Sequence, residues 1–216
     1  MLARDDGEVS APKDITAFLF DVDGVLRVWD PSHVEAIERA YDLAPGTIAA
    51  VAYDPDRFGP ALLGRITDQD WRASVAAAMV PICGDISKAI DCVVDWSARH
   101  GHIDPDVLEV ITGLRAEGVV VGLIANATDR LRFDLVELEV AEKVDTIVDS
   151  AHEGVAKPDA GIFLRAAEIL EVRPERCLYV GARSEHVAGA ERIGMKGHLY
   201  DGVVGLRAML ERLPAG

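Results

Sequence analysis

Five short apolar runs punctuate the chain, and three of them, Ile15 to Phe20, Val119 to Ala125 and Cys177 to Val180, are apolar almost throughout. A strand with one wet face alternates apolar and polar residues. One that does not alternate is covered on both faces, as in a parallel sheet between helical layers. Thr146 to Val148 and Gly197 to Tyr200 are the other two runs. Helical punctuation separates the later ones. Asp104-Pro105 reads as an N-cap followed by proline at the first helical position, and Gly118 is placed to end that helix. Pro158 opens another helix to about Leu170, with Ile162, Ala166 and Ile169 on one face, and Val203 to Leu213 shows the same spacing. Strand alternating with helix predicts an α/β fold with a doubly wound, Rossmann-like parallel sheet.

Residues 29–103 break that alternation. Ser32 reads as a cap before Val34, Ile37 and Tyr41, Thr67 before Trp71, Val75, Ala78 and Met79, and Asp85 before Ile86, Ile90, Val93 and Ser97. Tyr53-Asp54-Pro55-Asp56 and Pro81-Ile82-Cys83-Gly84 separate these helical patterns, and no strand stands out among them. The reading is an inserted all-helical domain at 29–103, a core formed by 15–28 plus 104–216, and a disordered tail at 1–14.

Composition narrows the function. With 216 residues, half of them apolar, the chain can bury a full core. Its 22 Lys and Arg against 37 Asp and Glu leave a formal charge of −15, which repels phosphate backbones and anionic lipid. Nucleic-acid and membrane partners are therefore not expected. Cys83, Cys92 and Cys177 match neither a redox pair nor a zinc spacing and read as reduced core thiols. No apolar run reaches the length of a bilayer span and the start is acidic, so a cytoplasmic location is expected.

Open α/β sheets bind ligands beyond the carboxyl ends of their strands, which directs attention to the residues after each run. These are Asp21-Val22-Asp23-Gly24, then Asn126-Ala127-Thr128, then Lys157-Pro158-Asp159, then Gly181-Ala182-Arg183-Ser184-Glu185-His186. Extended chain points Asp21 and Asp23 the same way, and Gly24 allows a sharp turn after them. Two adjacent carboxyls raise the pKa of one unless a cation intervenes, and Lys157 is a candidate for that cation. Asn126 and Gly24 are candidates for contacting an oxygen-rich substrate. Each feature alone is commonly a turn or a helix cap; the four together, in order at strand ends, are specific. The His100-Gly101-His102 pair reads as a loop feature, Ser184 lies in no nucleophile elbow, and Trp29, Trp71 and Trp96 read as core aromatics.

FLFDVDGVL, LIANAT and GVAKPDAGIF, followed by a glycine-flanked fourth segment, resemble the motifs of the haloacid dehalogenase superfamily. The resemblance implies a Rossmann-like core under a helical cap and, in most relatives, a magnesium-dependent phosphatase. It implies Asp21 as the nucleophile, Asp23 as general acid and base, and Lys157 as the group that steadies developing negative charge. Magnesium would be held by Asp21 and the Asp23 backbone carbonyl, with Glu185 as a displaced ligand.

Three departures weaken that picture. Ala125 stands where relatives offer Ser or Thr, Gly181-Ala182 where they supply acids, and His186 where they commonly place Asn or Asp. Asp21 facing a phosphate dianion opposes one charge to two, at about 4 kcal/mol per unit pair at about 4 Å and an effective dielectric of about 20. Lys157 offsets one such interaction; leaving the other costs roughly a thousandfold in rate. The expectation is a weakened phosphatase of a small phosphorylated metabolite with weakly held or absent magnesium. The alternatives are a non-catalytic binding protein of the same fold and a metal-independent 2-haloacid dehalogenase, against which Asp23 counts.

Overall fold

The structure, a computed structural model, describes residues 15–213; the tail expected at 1–14 lies outside them. Strand β1 (Ala17–Asp21) leads through a two-residue strand, β2 (Arg27–Val28), into five helices: α1 (Pro31–Ala40), α2 (Thr47–Ala52), α3 (Pro55–Leu62), α4 (Asp68–Cys83) and α5 (Ile86–Ser97). The chain returns through β3 (His102–Ile103), α6 (Pro105–Ala116), β4 (Val120–Ala125), α7 (Leu131–Glu137), β5 (Thr146–Asp149) and the short α8 (Ser150–Glu153). It finishes with α9 (Ala160–Ile169), β6 (Cys177–Gly181), α10 (Ser184–Glu191), β7 (Lys196–Leu199) and α11 (Val203–Leu210).

The main sheet has five strands in the order β5-β4-β1-β6-β7, every neighbouring pair parallel. Alternation along β1 explains its central place. Phe18 and Phe20 point to one face, against Val107 and Ile111 of α6, Leu135 of α7 and Leu206 of α11. Ala17 and Leu19 point to the other, against Ile162, Phe163 and Ala166 of α9 and Ala190 of α10. Burying each large side chain on both faces stabilises the strand by about 1.5–3 kcal/mol. β1 is also where the strand order switches sides, so Asp21 ends the strand at which such sheets open their ligand crevice.

Helices α1 to α5 pack around an apolar centre of their own, made by Ile48, Ala52, Trp71, Val75, Met79, Ala89, Cys92 and Val93. Trp71 anchors it, its ring 5.2 Å from Phe58 and 5.7 Å from Trp96, with its indole N–H donating to the Ala52 carbonyl at 2.9 Å. Entry and exit are tied by the antiparallel pairing of Arg27 with Ile103 and Val28 with His102. No strand was expected at 102–103. A two-residue strand is too short to carry a period, and only its partner makes it visible.

Other differences have local causes. Asp30, not Ser32, caps α1: its carboxylate accepts from the Ser32 N–H at 2.9 Å and Pro31 takes the first helical position. α9 starts at Ala160 because Asp159 caps it. α4 runs through Pro81 and ends only at Gly84, which adopts φ 76°. α5 buries Ala89, Cys92 and Val93, leaving Ile86 at 61% and Ile90 at 47% exposed. Small side chains let α5 lie close to α4, and that closeness selects the face.

The helical insert rests on the core at the loop after β4. Thr128 Oγ1 donates to Asp68 Oδ1 at 2.8 Å, and the Asp68 backbone N–H donates to Asp129 Oδ1 at 2.8 Å. Gly64 lies against the Ala151 carbonyl so closely that a β-carbon there would collide with it.

Candidate active site

Asp21 is 5% exposed, and every group around it comes from a distant part of the chain. The Lys157 ammonium donates to Asp21 Oδ1 and, at 2.9 Å, to the Ile124 carbonyl on β4. The Tyr179 hydroxyl of β6 donates to Asp21 Oδ2 at 3.2 Å, and His186 Nδ1 of α10 lies 3.7 Å from the same oxygen. Burial pushes the Asp21 carboxyl up, but the Lys157 charge outweighs it with help from the His186 ring, and Asp21 sits below the ordinary carboxylate value. Burial pulls Lys157 below its ordinary value, with Asp21 opposing the shift. Burial and the Asp21 charge push Tyr179 far up, so its hydroxyl stays a donor.

Asp23 does not share this environment. It lies beyond β1, bridged to Arg27, and its carboxylate accepts from Arg27 at 2.7 and 3.1 Å and from the Trp29 indole N–H at 2.7 Å. Arg27 also reaches Asp134 at 3.2 Å, which collects Arg130 at 3.0 Å and His100 at 2.6 Å. The cation expected to intervene between the two carboxyls is Lys157, which pairs with Asp21 alone, while Asp23 pairs with Arg27. Trp71 and Trp96 pack in the helical insert, whereas Trp29 is half-exposed and serves Asp23.

Asn126 and Gly24, expected at the substrate, have structural tasks. The Asn126 amide donates to the Lys157 carbonyl at 2.9 Å and accepts from the Lys157 N–H at 2.8 Å, so it positions the lysine. Gly24 turns the chain at φ 82°, and a β-carbon there would come within 2.9 Å of the Ala182 side chain. Glu185 is more than half exposed and lies 3.7 Å from Arg183. Tyr179 and Arg27 were missed. Tyr179 is hidden in an apolar strand, while the four-residue spacing of Arg27 from Asp23 was the available signal for the other.

The donor set does not suit magnesium, which takes oxygen ligands in near-octahedral array. Both Asp21 oxygens already accept from the protein, and the nearby ring belongs to a histidine. Among the described residues no three His, Cys, Asp or Glu side chains gather as a metal site. Nor is any described helix long and apolar enough to cross a membrane.

A lysine-paired carboxylate ending the central strand of a Rossmann-like sheet equips a hydrolase to act through its own side chains. The haloacid dehalogenase-like hydrolase family model matches residues 15–194, and the chain belongs to that family. A protein named as a phosphatase from Mycobacterium tuberculosis is 28% identical over 197 residues, 87% of this chain and 88% of that protein. A glyceraldehyde 3-phosphate phosphatase of Methanopyrus kandleri is 34% identical over 93 residues, 42% of this chain and 40% of that protein, so the match spans about two fifths of that relative's length. In fold, the chain is similar to a HAD family enzyme of Bacteroides thetaiotaomicron solved with magnesium and inorganic phosphate, with a TM-score of 0.68, 20% identity and coverage of 86% and 93% of the two chains.

Proposed function

We propose that the chain hydrolyses a small phosphorylated metabolite through a covalent phospho-Asp21 intermediate. The observation that carries this reading is the buried Asp21 carboxylate, held ionised beside Lys157 at the end of the central strand. The phosphatase names of the relatives support the substrate class. An Asp21 oxygen attacks phosphorus, the bond from phosphorus to the ester oxygen breaks, and that oxygen leaves with a proton. Water then attacks the phosphorus of the aspartyl-phosphate, releasing phosphate and restoring the carboxylate. Lys157 opposes the negative charge gathered at Asp21 in the first step, and Tyr179 orients the carboxylate.

Asp23 is the proton donor to the leaving oxygen and the base for the water. To act so, it must exchange its contacts with Arg27 and Trp29 for the substrate. A reducing, cytoplasmic setting suits the unpaired cysteines, of which Cys92 and Cys177 are buried.

The test is a panel of phosphomonoesters with wild type and Asp21→Asn. The variant is expected to lose about a thousandfold or more in kcat/KM, and equal rates would remove the reading. One observation favours a second reading, carbon–halogen cleavage: a halide leaves without a proton, and Asp23 is engaged elsewhere. Halide release from 2-haloacids, with no phosphate release from the panel, would select it.

A further inference from the structure

We infer that the Asp21 pocket works without a divalent cation, because Lys157, Tyr179 and His186 occupy the surroundings that a metal would need. The inference rests on the proposed function only in taking Asp21 as the reacting group. Lys157 holds one Asp21 oxygen and the Tyr179 hydroxyl the other, so a metal ion would have to displace a buried donor before gaining its first ligand.

Among the described residues no second acid gathers with Asp21 as a metal site. At position 181 a β-carbon would come within 2.5 Å of the Tyr179 ring, so the tyrosine that serves Asp21 also bars any side chain there. Position 182 carries alanine, and at 186 an imidazole faces Asp21. His186 is 8% exposed, and its Nδ1, 3.7 Å from Asp21 Oδ2, is buried with no hydrogen-bond partner. A buried polar atom without a partner is costly, and this one lies at the edge of the reacting carboxylate. An oxygen of the bound substrate satisfies it there, giving His186 a place in substrate binding. Asp23 and Glu185, the remaining acids nearby, are committed to Arg27 with Trp29 and to Arg183.

The experiment titrates the full chain with Mn²⁺ by water-proton relaxation and with Mg²⁺ by calorimetry, readouts that do not need turnover. Wild type is expected to show no saturable site at millimolar metal, and Tyr179→Phe/His186→Asp, which frees the second Asp21 oxygen and puts an acid beside it, is expected to gain one that Asp21→Asn removes. A saturable wild-type site lost in Asp21→Asn would overturn the inference, as would a folded Tyr179→Phe/His186→Asp that gains none. Turnover of any phosphomonoester found in the panel is expected to be the same in EDTA and in Mg²⁺. Activity surviving in Asp21→Asn would instead strike at the proposed function and leave the titrations to be read on their own.

Discussion

Asp21 and Asp23 stand two residues apart and are held by different parts of the molecule. The partners of Asp21 come from 136 and 158 residues away, in the loop before α9 and in β6, and its side chain is 7% exposed. The partners of Asp23 come from the next six residues, around the ribbon that carries the helical insert, and its side chain is 40% exposed. The difference separates two settings. In the proposed reaction the first suits a nucleophile, since the parallel sheet fixes it as long as the core is folded. The second suits a proton carrier, since its partners lie beside the solvent-facing ribbon at the base of the insert.

Breaking the first arrangement should cost far more than breaking the second. Asp21→Asn is expected to have the largest effect on rate, about a thousandfold or more. In stability, Lys157→Met leaves a buried carboxylate without its cation and should cost about 3–5 kcal/mol by urea unfolding. The Lys157→Met/Asp21→Asn pair should cost less than the sum of its members, since the two share one interaction. Additive costs would mean that the pair does not interact as drawn.

Matched deletions sharpen the contrast. Tyr179→Phe removes one donor from the buried Asp21 and should cost about 1.5–3 kcal/mol, as for hydrogen bonds to charged groups. Trp29→Phe removes one donor from the solvated Asp23 and should cost under about 1 kcal/mol. Equal costs would erase the distinction between the two environments. The smallest effect is a trend with pH. The folded pKa of Asp21 is depressed below its ordinary value of 3.8, so its contribution is present above that value and is lost as pH falls through the folded one. The stability gap between wild type and Asp21→Asn should therefore narrow on acidification, and a gap that widens would contradict the assigned ion pair.

Much of the sheet and one half of the site were legible in the residues. Uninterrupted apolar runs mark strands covered on both faces, and Asp21 and Lys157 fall at the ends and loops such strands leave open. The other half depended on neighbours. Tyr179 reads as one more apolar strand residue until β6 lies beside β1 and its hydroxyl reaches Asp21. The Asp23 carboxylate looked like a companion of Asp21 because strand alternation was extended past the end of β1, where the chain has already turned toward Arg27. Ile86 and Ile90 made a plausible buried stripe, but close packing against α4 selected Ala89 and Cys92.

Borohydride reduction during turnover, followed by mass spectrometry of the peptide spanning β1, reads the identity of the attacking atom. A phosphorylated aspartate is reduced to homoserine, and the account predicts homoserine at position 21 in wild type only while substrate is present. Phosphate release with an unreduced Asp21, or with homoserine at another position, would contradict it.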